Sequence, residues 1–208
     1  MDAPFSHLIT SEDDLRAGPY PPPPAKAWQK EVDELDAHCV DFLARSPFAL
    51  LATSGPDGTC EVTPRGGPPG FLRVLDRGRL AFGDLTGNQR IDALRNIVAN
   101  PHAALLVLIP GLGETLRIRG RAYVTRDPEI LDATAVPGRH PDVAVGIAVD
   151  RAYLHCAKAL IRSHLWRPET WPGELPSPAR ILRDHRALPI DESQVARELE
   201  EAYRDRLW

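Results

Sequence analysis

The chain is predicted to be mainly β: an α+β domain formed around a small antiparallel barrel, with helices at its periphery. Three observations predict it. Apolar runs of strand length fill the middle of the chain. Turn signals rich in Gly, Pro and Asp separate them, and helical periodicity is confined to the flanks and to short stretches between strands. A length of 208 residues suits one domain with extra arms rather than two full domains.

The elements follow in order. Residues 1–26 read as an arm. Thr10 and Ser11, followed by Glu12, Asp13 and Asp14, supply cap chemistry for one short helix with acids in its first turn. Gly18-Pro19 ends it, and Pro21 to Pro24 favour an extended polyproline stretch. Trp28, Val32, Leu35, Cys39 and Phe42 then recur at helical steps, predicting a helix that Ser46-Pro47 stops. Strands are predicted over 48–54 and 60–64 around the turn Pro56-Asp57-Gly58-Thr59, and over 71–75 and 79–82 around Asp76-Arg77-Gly78. A helix over 88–99 would present Ile91, Leu94 and Val98. Strands over 103–109 and 115–125 give the clearest hairpin pattern. Asp127-Pro128 starts another helix, with Asp as cap and Pro at its first position, and 143–149 is a further strand. Arg151 to Arg167 would place His155, Lys158 and Arg162 on one helical face. Residues 27–167 thus form the domain. Residues 168–208 form a C-terminal segment, proline-rich at first and ending in a helix that Asp191 and Gln194 start, with Val195, Leu199 and Ala202 on one side.

Composition narrows the function. Basic residues number 25 and acidic ones 29, a formal charge of −4, which argues against a general nucleic-acid binder. The longest apolar run, 103–109, is too short to span a membrane. The N-terminal residues lack the basic and apolar regions of a secretory signal, and Cys39, Cys60 and Cys156 make no disulfide framework. A reducing cytoplasm is the expected location.

Familiar motifs fail. Gly111-Leu112-Gly113 resembles the opening of a dinucleotide fingerprint, but Leu116 stands where the third glycine belongs and a strand follows. Phosphate-loop, nucleophile-elbow and zinc-hydrolase patterns are absent from the sequence. Anion-binding signals remain. Thr86-Gly87-Asn88-Gln89-Arg90 stands where a strand runs into a helix; it reads either as a phosphate cradle or as a plain cap at Asn88 with a solvated Arg90. The 151–167 segment carries Arg151, Lys158, Arg162 and Arg167 without one acid, and so calls for distant carboxylates or an anionic ligand unless water alone serves it. Lys158 is the only lysine after Lys30 in an arginine-rich chain, and its compact ammonium suits a single hydrogen bond. Thr63-Pro64-Arg65-Gly66-Gly67 would let backbone approach a flat ligand closely.

Taken in order, residues 52–58, 62–66, 80–90, 96–109, 116–122 and 155–163 resemble the FMN-binding split-barrel proteins, the pyridoxamine 5′-phosphate oxidase-like superfamily. The resemblance implies a six-stranded antiparallel Greek-key split barrel that forms a homodimer with FMN in the cleft between subunits. It implies that Val62, Thr63, Pro64 and Arg65 lie along the flavin ring, that the Gly87 to Arg90 corner, with Gly87, Asn88 and Arg90, holds the phosphate, and that Asp84 is a further cofactor-binding residue. Thr115, Arg117, Lys158, Arg162, Ser163 and Trp166 would come from the other subunit. The oxidase's own C-terminal substrate-binding arginine and histidine pattern is missing, so vitamin B6 oxidation is not implied. The reading is an FMN-dependent oxidoreductase acting on a small molecule, with no catalytic side chain singled out. Two alternatives stand beside it: a non-catalytic flavin or haem binder, for which His140 or His155 would be the axial ligand, and a reductase using the deazaflavin F420.

Overall fold

A computed structural model describes residues 4–18, 20–85, 87 and 89–205. The chain divides into two compact units, Met1–Glu31 and Val32–Trp208. The first unit holds helix α1 (Glu12–Ala17), which starts where the Ser11 hydroxyl accepts from the Asp14 N–H. A single 3-10 turn, Ala25–Ala27, follows Pro24, whose backbone is polyproline-like. Pro19 lies outside the described residues.

In the second unit, helix α2 (Ala37–Arg45) starts later than the period predicts. The Asp36 carboxylate accepts from the Cys39 N–H at 2.8 Å and fixes the first turn there. Upstream, Val32 exchanges two backbone hydrogen bonds with Ala152, so this stretch is bridge rather than helix. The helix buries Cys39, Phe42 and Leu43. Burial pushes the Cys39 thiol up to about 11, which leaves it an inert core group. The Cys39 N–H holds the Asp36 carboxyl below its ordinary value. A depressed carboxyl stabilises the fold above its unfolded pKa, and that contribution fades as pH falls through the folded value. Asp36→Ala is therefore expected to cost about 1 kcal/mol near neutral pH and less under acid. Urea melts at pH 7 and pH 3 check this; equal losses at both would show that Asp36 acts other than as a charged cap.

Seven strands form one antiparallel sheet in the order β2-β1-β5-β6-β7-β4-β3. They are β1 (Phe48–Ser54), β2 (Cys60–Gly66), β3 (Arg73–Asp76), β4 (Arg79–Gly83), β5 (His102–Leu108), β6 (Thr115–Thr125) and β7 (Ala144–His155). The six-stranded barrel implied by the resemblance is thus corrected to seven strands, and the ladder does not close: β2 and β3 are its edges. The sheet curls even so, because Arg65 on β2 reaches Phe82 on β4. Inward residues alternate along the strands, Ala49, Leu51 and Thr53 on β1 facing the same core as Ala103, Leu105 and Val107 on β5. Leu35, Leu43, Leu72, Leu80, Phe82, Ile118 and Ile147 are also buried in this core.

Strand β7 runs on through Arg151 to His155, so the helical face predicted for His155, Lys158 and Arg162 is corrected. His155 pairs with Thr115 across the sheet, and helix α5 is only Lys158–Arg162. Strands β6 and β7 stay paired past a bulge at Arg119/Gly120, where the backbones come very close.

Helix α3 (Asp92–Ala99) also starts later than predicted, at Ile91 rather than Asn88, and Ile91 has no capping side chain. Its buried residues are Ala93 and Ile97, while Val98 is exposed, as is Ile91, which precedes the helix as its cap. Asn96 donates to Thr53 and Asn100 to Ser54, tying the C-terminal half of this helix to β1. Helix α4 (Pro128–Ala133) starts at the Asp127 cap with Pro at its first position, as its sequence predicts. Helix α6 (Pro178–His185), capped by Ser177, packs on α7 (Glu192–Asp205), and Glu192 accepts from both Ser177 and Arg180. Among the described residues, no helix is long and apolar enough to cross a membrane.

Candidate functional site

Strand β2 carries Thr63 and Arg65 on the face it turns inward, and the end of β4 leads to Asp84. Arg65 donates from Nη1 to Asp84 Oδ1 at 2.6 Å, with both side chains about four-fifths covered. Its guanidinium lies 5.8 Å from the centroid of the Phe82 ring. Among the described residues, two polar atoms here have no hydrogen-bond partner although both are buried: Arg65 Nε and Thr63 Oγ1. Orphaned buried donors are uncommon in native folds and mark places where a ligand or bound water completes the set.

These residues stand beside a cleft with two lobes that share Pro64, Arg65, Leu85 and Gly87 as a common wall. The first lobe, about 570 Å³, carries most of the charged side chains. It is bordered by Asp84, Arg90, Asp92, Arg139 and Asp142, with Thr63 at its base. The second, about 640 Å³, runs toward Phe71, Phe82, Thr134 and Val136. Both fall within the range of small-molecule sites.

Backbone strain collects at the first lobe. Gln89 (φ 58°) and Ile91 (φ 52°) are both left-handed, a region that non-glycine residues adopt at a cost of about 1–3 kcal/mol each. Arg90 lies between them and donates from Nε to Asp92 at 2.7 Å, with 72% of its side chain exposed. An Arg90–Asp92 ion pair thus braces the described part of this corner. Thr86 and Asn88 themselves lie outside the described residues.

The structure gathers the expected site residues into two groups. Thr63, Pro64, Arg65, Asp84, Gly87 and Arg90 border the cleft, while Val62 points out of the sheet beside them with 61% of its surface exposed. Thr115, Arg117, Lys158, Arg162, Ser163 and Trp166 border neither lobe. Thr115 and Arg117 lie at the start of β6, and Lys158 and Arg162 on α5. Trp166 donates from its indole to the Leu112 carbonyl, Arg117 lies over Tyr153 at 5.3 Å, and Ser163 donates to the Leu160 carbonyl within α5. The sequence reading missed Gln89, Asp92, Arg139 and Asp142. A signal for the last two existed in the short run Arg139-His140-Pro141-Asp142, whose proline packs where a Cβ on Gly83 would sit. His140 engages both ring nitrogens, with the Pro141 carbonyl and the Asp132 carboxylate, so it presents no open nitrogen to a haem iron.

The family model for pyridoxamine 5′-phosphate oxidase matches residues 35–156. No curated protein matches the chain. Solved structures similar to it include HupZ from Group A Streptococcus, at 20% identity over 57% of this chain and 92% of that one, with a TM-score of 0.47. An F420 reductase is 28% identical over 55% of this chain and 94% of that one, with a TM-score of 0.38. An FAD binding protein from Mycobacterium smegmatis is 19% identical over 60% and 97%, with a TM-score of 0.41. A mainly antiparallel sheet, an inward arginine beside an open cleft and a family match over more than half of the chain define one class: the chain belongs to the pyridoxamine 5′-phosphate oxidase family.

Proposed function

We propose that this protein is an FMN-dependent oxidoreductase acting on a small molecule, and that it works as a homodimer. The observation that carries the reading is the pair of buried, unpartnered polar atoms, Arg65 Nε and Thr63 Oγ1, beside a two-lobed cleft in a chain of this family. One is a charged donor and the other a hydroxyl that can donate or accept, which fits the polar edge of a flavin ring. When bound, FMN supplies an acceptor and donor of hydride or single electrons at N5 of its ring.

Thr63 and Arg65 would hold and orient the ring, with Asp84 fixing the guanidinium plane. Gly87 and Arg90, together with Asn88, would meet the phosphate, and the half-covered walls of the cleft would limit water around the ring. The second group, from Thr115 to Trp166, is proposed to serve the cleft of a second copy. Its residues border neither lobe of their own chain, which supports that reading. No side chain is assigned to proton transfer.

Purified protein is expected to show a flavin absorbance spectrum and to release a cofactor with the mass of FMN. A colourless preparation that ignores added FMN would end the flavin reading, and a Soret band would replace it with haem. Stopped-flow mixing with NADH, NADPH or reduced F420 separates an enzyme from a carrier. Arg90→Ala is expected to weaken FMN retention about fivefold, roughly 1 kcal/mol, since this side chain is exposed and shares its charge with Asp92. Unchanged FMN occupancy on dilution would remove Arg90 from the site.

A further inference from the structure

The second lobe of the cleft differs from the first in chemistry. Among the described residues that line it, Arg65 is the one charged side chain, and Asp84 already neutralises it. Thr134 is the one hydroxyl; it is 3% exposed and donates to the Ile130 carbonyl of its own helix, which leaves it no proton to offer a ligand. Pro68, Leu85 and Val136 supply half-buried apolar surface, while Phe71 and Phe82 are almost wholly buried in the core beside them. A phosphate dianion placed here would lose its hydration against a guanidinium already committed to a carboxylate, an exchange that low-polarity surroundings penalise heavily. An uncharged ring would gain from leaving water.

We propose that this lobe is the subsite for the second substrate and takes an uncharged, mainly apolar aromatic molecule rather than a phosphate ester; its role as a substrate subsite rests on the flavin reading above. Specificity then lies with Pro68, Leu85 and Val136, and phosphate esters are disfavoured.

The test uses the full chain and Nile red, a neutral fluorescent probe, titrated in the presence of added FMN. Pyridoxine and pyridoxine 5′-phosphate serve as a competitor pair differing by one phosphoryl group. Val136→Trp fills the lobe and is expected to weaken probe binding at least tenfold while leaving the flavin absorbance per protein unchanged. Val136→Arg, which brings in a free cation, is expected to raise affinity for the phosphate ester at least tenfold over the wild-type chain. Pyridoxine is expected to compete at least as well as its phosphate in the wild-type protein. The proposal is overturned if the phosphate ester competes more than tenfold better than pyridoxine, or if Val136→Trp leaves probe binding intact. Flavin retained per protein after gel filtration of the same samples reports on the cofactor separately, so a chain that keeps none counts against the flavin reading while the probe still judges the lobe.

Discussion

Arg65→Ala is expected to lower FMN affinity about a hundredfold or more, roughly 3 kcal/mol. Three features of the structure set that size. The guanidinium is four-fifths covered, its Nε is buried without a partner, and its Nη1 bonds to Asp84 at 2.6 Å. Truncation removes the charged donor from a site screened from water and leaves the Asp84 carboxylate, itself mostly covered, without its counter-ion and facing the ligand. Arg65→Lys should fall between alanine and the wild type, since an ammonium keeps the charge but loses the planar fork. Asp84→Ala in the Arg65→Ala background should recover part of the loss by removing the stranded carboxylate. Fluorescence titration of FMN into apo-protein measures all three. An Arg65→Ala chain that holds FMN as tightly as wild type would remove β2 from the cofactor site and with it the central support for the function proposed.

The second large effect is on stability. Gly120→Val is expected to destabilise the domain by about 3–5 kcal/mol, enough to lower the melting temperature by roughly 10 °C. A Cβ at this position would meet the Ala148 carbonyl oxygen and the Val149 Cα across the β6–β7 bulge. These are backbone atoms inside a ladder, so the clash cannot be relieved by a change of rotamer and the pairing itself must shift. Gly146→Ala on β7 is the control: a Cβ there meets nothing within 4 Å, and its effect should stay near zero. Thermal denaturation followed by far-UV circular dichroism compares the two. Equal melting temperatures would show that the bulge relaxes more easily than its geometry implies.

The strands were legible because each obeys one local rule. In β6 the inward Leu116, Ile118 and Ala122 alternate with Arg117, Arg119 and Arg121, and a period of two in that length of chain has no helical reading. Strand β1 is bounded by Ser46-Pro47 and by the Pro56-Asp57-Gly58 turn, so its limits were equally clear. The misreadings share a cause: a helical spacing satisfied by chance across a boundary that tertiary contacts set. Trp28, Val32 and Leu35 continue the period of α2, yet Val32 bridges to Ala152, a partner far away in the sequence. Arg151 and His155 resemble a basic helix because β7 turns an exposed polar face outward where it passes β6. Helix α6 was hidden by the density of prolines before it, although Ser177-Pro178 is itself a helix start.

The candidate site was legible in part. The residue types at Thr63, Arg65 and Arg90 marked anion and ring chemistry, and the structure puts them along one cleft. The Arg65–Asp84 pair could not be read from the sequence, since nineteen positions separate the partners and only the curl of the sheet joins them. The opposite wall, from Arg139 to Asp142, follows a bridge between Val136 and Arg139 that no simple spacing announces.

The order of strands also bears on how the chain reaches this state. Strand β5 is inserted between β1 and β6, and β7 between β6 and β4, so the two early hairpins do not touch each other along the ladder. The β1–β2 and β3–β4 pairs must each wait for sequence far downstream before they gain a second neighbour. Loop-closure entropy delays such distant pairings, which places folding in the millisecond-to-second regime of β-rich topologies. The β5–β6–β7 meander, held by its nearest-neighbour connections, is then the natural nucleus on which the amino-terminal hairpins dock.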